Sequence, residues 1–265
     1  MILSIITINY NNKDGLIKTI PSVLSQNGIA QNEFEYIIID GGSTDGSVDI
    51  IKKYAESNDF PIKISKWISE KDKGIYDAIN KGIRLASGNI IGLVNSGDTV
   101  VDGAYENILS IHKEHPDSIL YGAVNFYKNG VFERVHGYTS EKLPELMIAH
   151  PASFVPKNIY NQFGYYNDSY RSSGDWDLFL TFYQAGVSFY YLSKIIINFD
   201  IYGISNTNIK LVKSENQKLL NAHGIKTSKT KEMFWAVISF ILPGFCCKLI
   251  HLFVKVIKKL LSSVK

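Results

Sequence analysis

Polar and acidic side chains in this chain cluster where apolar runs stop. In the N-terminal part they do so four times, at Asn9–Asn12, Asp40–Asp45, Glu70–Asp72 and Asn95–Asp98. Carboxylates at such positions suit a site that holds a metal-bound diphosphate and removes a proton. Hard oxygen ligands bind a divalent ion, and an ionised Asp takes up a proton within hydrogen-bond reach. Competing chemistries lack their residues. There is no G-x-x-x-x-G-K-[ST] phosphate loop, no G-x-G-x-x-G after the first apolar run, no H-E-x-x-H and no nucleophile elbow. The two cysteines, Cys246 and Cys247, are adjacent, so they offer neither a zinc-like spacing nor a disulfide framework.

The elements that must position these clusters are set by periodicity. Residues 2–10 form a β-branched apolar run, the mark of a buried strand. Asn11, Asn12 and Asp14 can cap a helix in which Leu16, Ile17, Ile20, Val23 and Leu24 recur at helical spacing. Further strands are expected at Tyr36–Ile39, Ile62–Ile68 and Asn89–Val94, with helices through Val48, Ile51 and Tyr54 and through Ile75–Ala86. Alternating strands and helices with short loops imply an α/β domain whose open, mainly parallel central sheet is flanked by helices. In such sheets ligands sit beyond the carboxyl ends of the strands, so the four polar clusters should line one rim.

The texture changes after Asp98. A helix at Gly103–His115 precedes strands at Ile119–Tyr127 and Val131–Val135, joined by an Asn129-Gly130 turn. A Tyr- and Phe-rich stretch runs to about Tyr202, with a helix beginning near Asp175. This half reads as a mixed α+β platform with an aromatic surface. Farther on, Met233–Cys247 is nearly all apolar but is interrupted by Pro243-Gly244, which makes it short for a span. His251, Lys255, Lys258 and Lys259 then share one helical stripe. A basic amphipathic helix after a hydrophobic hook suits either an interfacial anchor or a helix packed on the domain or on a partner subunit.

With 45% hydrophobic and 20% charged residues, the composition excludes a disordered chain and a collagen-like repeat. The net charge of +3 conceals an asymmetry: the segment from Lys226 to Lys265 holds eight lysines and one glutamate, which leaves the preceding residues net acidic. Nucleic acid is a poor partner for an acidic body, whereas a basic, apolar tail suits an anionic membrane surface. Met1–Ile5 lacks the basic start and long apolar core of a secretory signal. The expected location is cytoplasmic, peripheral on the inner face of the cell membrane.

Taken in order, these motifs resemble family 2 glycosyltransferases. They are Ser4-Ile-Ile-Thr-Ile-Asn-Tyr-Asn-Asn, Asp40-Gly-Gly-Ser-Thr-Asp-Gly-Ser, Glu70-Lys-Asp-Lys-Gly-Ile-Tyr-Asp and Gly88-Asn-Ile-Ile-Gly-Leu-Val-Asn-Ser-Gly-Asp. The likeness continues through His150-Pro-Ala-Ser-Phe, Gly174-Asp-Trp-Asp and Phe199-Asp-Ile-Tyr-Gly-Ile-Ser, covering about residues 1–205. It implies a single GT-A-like domain, an inverting reaction and a nucleoside-diphosphate sugar as donor. The sugar would go to a hydroxyl of a glycan or lipid-linked acceptor in cell-surface glycan synthesis. Residues 1–100 would then bind the nucleotide sugar and 101–215 the acceptor and the catalytic group. Residues 216–265 would form a helical tail on an anionic membrane.

The resemblance also implies roles. Thr7, Asn9 and Tyr10 would touch the nucleoside, and Asp40 would accept a hydrogen bond from its base or ribose. Asp45 either contacts the ligand or caps the next helix, and Asp72 either contacts the nucleotide or caps the helix bearing Tyr76 and Asn80. Asn80 and Asn95 complete the nucleotide-binding set. Asn95-Ser96-Gly97-Asp98 takes the place of the D-x-D metal motif, with Asp98 as its last carboxylate and Asn95 or Ser96 where the first would stand. The cofactor would be a divalent ion, Mn or Mg. His150 is a further metal ligand, a phosphate contact or a structural residue. Asp175 matches the catalytic base, with Gly174 where the family usually carries an acid, while Asp177 suits the helix dipole.

Two other readings compete. A sugar-nucleotide nucleotidyltransferase would want a basic, Gly-rich loop after the first strand, but that loop is Asn-rich with the single Lys13. A non-catalytic nucleotide- or glycan-binding module would explain the missing D-x-D carboxylate.

Overall fold

The computed structural model describes residues 2–200 and 208–225. The first half alternates as expected: β1 (Leu3–Asn9), α1 (Lys13–Leu24), β2 (Phe34–Asp40), α2 (Ser47–Glu56), β3 (Ile64–Ser69), α3 (Ile75–Leu85) and β4 (Ile90–Leu93). Every residue of β1, β2 and β4 is buried. That fits their continuous β-branched runs, because a parallel sheet covered by helices on both faces leaves no polar side. The four strands lie parallel in the order β3-β2-β1-β4. Register aligns their polar ends, with Asn9 opposite Asp40 and Asp40 opposite Ser69.

The second half is mixed. It comprises β5 (Thr99–Val100), α4 (Ala104–Glu114), β6 (Ser118–Lys128), β7 (Val131–His136), β8 (Ser153–Pro156), α5 (Lys157–Phe163), α6 (Gly174–Gln184), β9 (Ser188–Asp200) and α7 (Ile209–Ala222). Among the described residues the sheet has nine strands, in the order β3-β2-β1-β4-β8-β6-β9-β5, with β7 hairpinned onto β6. The parallel order therefore holds through β4, after which β8 inserts antiparallel between β4 and β6. Gly92 makes that insertion possible. It lies opposite Phe154, and a Cβ there would sit 2.6 Å from the Phe154 ring.

One hydrophobic cluster joins the halves, running from Leu3, Ile5 and Tyr36 through Ile90 to Tyr105, Phe154 and Ile197. Each fully buried aliphatic or aromatic side chain of this kind contributes about 1.5–3 kcal/mol relative to exposure. The helix α7 runs across the 215/216 boundary expected from the sequence and buries Glu215, Leu219 and Leu220. The chain divides into two units between His223 and Gly224, and every element above belongs to the first. The expected amphipathic tail lies outside the described residues. Among those described, no helix is long and apolar enough to cross a membrane.

Candidate active site

A cleft of about 1020 Å³ opens at the carboxyl ends of the parallel strands, lined by Asn9, Tyr10, Gly41, Asp72, Asn95, Asp98 and Asp200. Lys18, Lys71, Lys73 and Arg171 line it too. A smaller hollow of about 200 Å³ holds Asp175 and His150 in its wall. The two share Ile75, Asn95, Arg171 and Phe199, so the rim carboxylates and Asp175 face adjoining spaces.

The turn after β4 is fixed from several sides. Asp98 donates its N–H to the Asn95 carbonyl at 3.0 Å, and Gly97 takes a φ of 110°, a left-handed value that favours glycine. The buried Thr19 hydroxyl donates to the Asp98 carbonyl at 2.7 Å and accepts from the Gly97 N–H at 2.9 Å. Asp98 itself is 3% exposed. Its Oδ1 accepts the Asp200 backbone N–H at 3.1 Å, while its Oδ2 has no hydrogen-bond partner. Asn95 Oδ1 and Asp200 Oδ1 are likewise buried and unpaired. Burial, with the Asp200 carboxylate adding to it, pushes the Asp98 carboxyl up to about 8. Buried oxygens without donors are unusual and call for a partner. A divalent cation, which takes oxygen ligands, fits this donor set. Among the described residues no group of three or more His, Cys, Asp or Glu could hold a metal, so the set comprises two carboxylates and an amide oxygen.

The residues expected to touch the nucleotide separate into two groups. Tyr10 is 69% exposed at the cleft, and Asn9 lines it. Asn9 Nδ2 donates to Asp40 Oδ1 at 2.8 Å, which leaves its Oδ1 unpaired. Asp72 lines the cleft and pairs with Lys81 at 2.6 Å rather than capping α3. Asp40, by contrast, is fully buried beneath the rim and is consumed by Asn9, Ser43 and Ser69. Asp45 accepts from the backbone N–H groups of Lys13 and Ser47 at 2.8 and 3.0 Å, tying the starts of α1 and α2 together, and does not line the cleft. Two expectations are corrected outright. Thr7 is buried against the Tyr36 hydroxyl at 2.9 Å. Asn80 clamps the Tyr166 backbone, donating to its carbonyl at 2.8 Å and accepting its N–H at 3.0 Å.

Asp175 opens α6 and is held by its neighbours. The Tyr76 hydroxyl donates to Asp175 Oδ1 at 3.2 Å and accepts the Gly174 N–H at 2.8 Å. A Cβ on Gly174 would lie 2.8 Å from the Tyr76 ring, so an acidic side chain at 174 would require that ring to shift. His150 does not join Asp98 in the large cleft. Its Nε2 engages the Tyr166 hydroxyl at 2.8 Å, and its Nδ1 faces Asp175 Oδ2 at 3.9 Å. Burial lowers its proton affinity despite Asp175, which favours the neutral ring. Asp177 turns away and pairs with His223 at 3.0 Å. Glu215 of α7 holds the segment leading into the site, accepting from the Arg171, Ser172 and Ser173 N–H groups at 2.7, 2.9 and 2.9 Å.

The sequence model of glycosyl transferase family 2 matches residues 4–196. The chain belongs to glycosyl transferase family 2. It is 30% identical over 185 residues to an uncharacterized glycosyltransferase of Mycobacterium tuberculosis, covering 67% of each chain. It is 28% identical over 184 residues to a PGL/p-HBAD biosynthesis glycosyltransferase of Mycobacterium bovis, covering 66% of this chain and 69% of that one. Among solved structures, S. aureus TarS 1–349 in complex with UDP-GlcNAc matches with a TM-score of 0.62 at 20% identity, over 77% of this chain and 59% of that chain. The Pyrobaculum calidifontis mannosyltransferase PcManGT, in complex with GDP-Man and Mn2+, matches with a TM-score of 0.64 at 15% identity, over 86% and 65%. The fold is the GT-A fold of glycosyltransferases.

Within this family 2 chain, Asp200, Arg171, Tyr76 and Thr19 are site residues that the motifs do not single out. Arg171 precedes the catalytic candidate by four residues, lines both hollows and donates to the Lys73 carbonyl at 3.2 Å. Asp200 lies in the motif that begins at Phe199, and its one signal is a carboxylate directly after an apolar run.

Proposed function

We propose that this chain is an inverting glycosyltransferase that moves a sugar from a nucleoside-diphosphate sugar to a hydroxyl of a growing, lipid-linked cell-surface glycan. The observation that carries this reading is the adjacency of two chemistries. The cleft with Asp98, Asp200 and four basic side chains opens beside the hollow that holds Asp175, and Asn95 and Arg171 are common to both. The nucleotide-sugar complexes of TarS and PcManGT, on the same fold, support the donor class.

The donor diphosphate lies along the rim, where Lys18, Lys71, Lys73 and Arg171 offset its charge and the exposed Tyr10 ring stacks on the base. Asn9 Oδ1 accepts from a base or ribose donor. Asp98 would anchor a divalent ion, which when bound would neutralise charge on the departing diphosphate. The acceptor hydroxyl enters the smaller hollow and gives its proton to Asp175. Its oxygen forms the new bond to the anomeric carbon as the bond to the diphosphate oxygen breaks, and the bonding pair leaves on the diphosphate. Attack from the face opposite the leaving group inverts the anomeric centre. Tyr76, whose burial keeps its hydroxyl protonated, fixes Asp175 Oδ1 and leaves Oδ2 for the acceptor. The basic tail brings this site to an anionic membrane that carries the acceptor.

Asp175→Asn keeps size and removes basicity. Turnover of a nucleoside-diphosphate sugar should fall about 10²–10⁴-fold, the range for loss of a general base, with donor affinity unchanged by calorimetry. Turnover near that of the wild type would dismiss the assignment.

A further inference from the structure

We infer that Asp200 supplies the second carboxylate of a divalent-cation site whose first carboxylate is Asp98. The inference rests on the glycosyltransferase reading and deepens it. The turn at 95–98 carries one carboxylate, so by itself it makes a weak cation site, since affinity for hard cations rises with the number of charged oxygen ligands. Topology adds another from more than a hundred residues away. The two residues of β5, immediately after Asp98, pair antiparallel with β9, Thr99 opposite Asn198 and Val100 opposite Ile197. One further step in that register brings Asp98 level with Phe199, next to Asp200. The contact is made, since the Asp200 backbone N–H donates to Asp98 Oδ1 at 3.1 Å.

The remaining oxygens point to a ligand. Asp98 is 3% exposed and its Oδ2 is unpaired, as are Asp200 Oδ1 and Asn95 Oδ1, and all three residues line the large cleft. A structural role for Asp200 would use its carboxylate on an N–H or a hydroxyl, as Asp40, Asp45 and Glu215 do. Instead Asp98 Oδ2, Asp200 Oδ1 and Asn95 Oδ1 are buried at one cleft with no donor on any of them. A Mn or Mg ion held by Asp98, Asp200 and Asn95 would give these oxygens a partner and would supply positive charge at the cleft assigned to the diphosphate. A lost carboxylate in the β4 turn is thus replaced from β9.

The test is Mn²⁺ binding by the purified full-length chain, read from the electron paramagnetic resonance signal of free Mn²⁺, alone and with added UDP or GDP. Asp200→Asn retains the backbone N–H to Asp98 and should weaken Mn²⁺ binding at least ~10-fold, since removal even of supporting groups at metal sites typically costs about 10–100-fold. Asp98→Asn should do the same, Asp200→Glu should retain most of the affinity, and Asp117→Asn, at an exposed position, should change nothing. Thermal melting checks folding, with Asp200→Ser as the parallel variant if the amide lowers stability. Wild-type Mn²⁺ affinity in a folded Asp200→Asn or Asp200→Ser variant would overturn the inference, as would a wild-type chain that binds no Mn²⁺ with or without nucleotide. The melting shift on UDP or GDP in a chelator and the turnover of Asp175→Asn do not depend on Asp200. They therefore separate a failure of this inference from a failure of the glycosyltransferase reading.

Discussion

Tyr76 shows how one side chain can both build and tune a site. Its ring occupies the space over Gly174, and its hydroxyl bridges the Gly174 N–H and Asp175 Oδ1. Tyr76→Phe strips that bridge and leaves a buried N–H unpaired, which costs about 1–3 kcal/mol. For a domain of this size that lowers the melting temperature by about 2–12 °C. Turnover should fall while the KM for the donor stays near wild type, because Tyr76 lines the hollow of Asp175 and not the large cleft. A normal turnover number would show that the hydroxyl does not orient the base. Two other carboxylates set the acid limit of the fold. Burial would raise Asp40, but hydrogen bonds from Ser43, Ser69 and Asn9 outweigh it, and the carboxyl is held below its ordinary 3.8. Burial would also raise Glu35, but Lys66, Ser4 and Ser87 hold it below 4.5. The unfolded chain then binds more protons than the native one, so this stability is complete above about pH 4.5 and is lost as pH falls through the depressed native values. Urea midpoints measured against pH should decline across that window, and Asp40→Asn should show a shallower decline than the wild type.

At the scale of elements, the site depends on α7 as much as on the sheet. Glu215 gathers three consecutive N–H groups at the entrance to α6, with Ser173 Oγ adding a bond to Asn216 at 2.7 Å. Glu215→Ala orphans those donors and should cost about 2–4 kcal/mol in urea unfolding, with reduced turnover because the loop carries Arg171 and leads into Asp175. An unchanged urea midpoint would mean that the loop holds its shape without α7. β1, β2, α3 and the rim are legible in the sequence because burial on both faces forces apolar runs, and register then aligns their polar ends. Thr7 departs from expectation through depth. It shares a face with Asn9 but lies two residues, about 6.6 Å, farther down the strand and under the cleft floor. β5 and β8, with two and four residues, are too short to show a period, and β9 loses its alternation where three exposed residues precede the buried Ile196 and Ile197. The role of Asp200 is hidden from sequence for the same reason, since only the short β5–β9 ladder brings it to Asp98.

Over the whole molecule, charge is distributed by region. The chain carries +3 in total, yet eight lysines and one glutamate fall after Ile225, so the part that contains the cleft is net acidic. An acidic body is repelled by an anionic membrane surface, and attraction must come from the basic segment. Each lysine near such a surface contributes about 1 kcal/mol, and the contribution decays within a Debye length of about 10 Å at 0.1 M salt. Replacing Lys255, Lys258 and Lys259 by Glu in the full-length chain removes three of these and adds repulsion. Co-sedimentation with phosphatidylglycerol-containing vesicles should weaken by about 100-fold or more, as loss of about 3 kcal/mol requires. Wild-type binding should fall off between 0.1 and 0.5 M salt and be far weaker on neutral phosphatidylcholine vesicles, because screening and lipid charge act on the same term. Turnover of the triple variant on a water-soluble acceptor should match the wild type, since every side chain given a part in the reaction lies within residues 9–200. Equal binding to neutral and anionic vesicles would remove the electrostatic basis for membrane association and leave the lysines to some other partner.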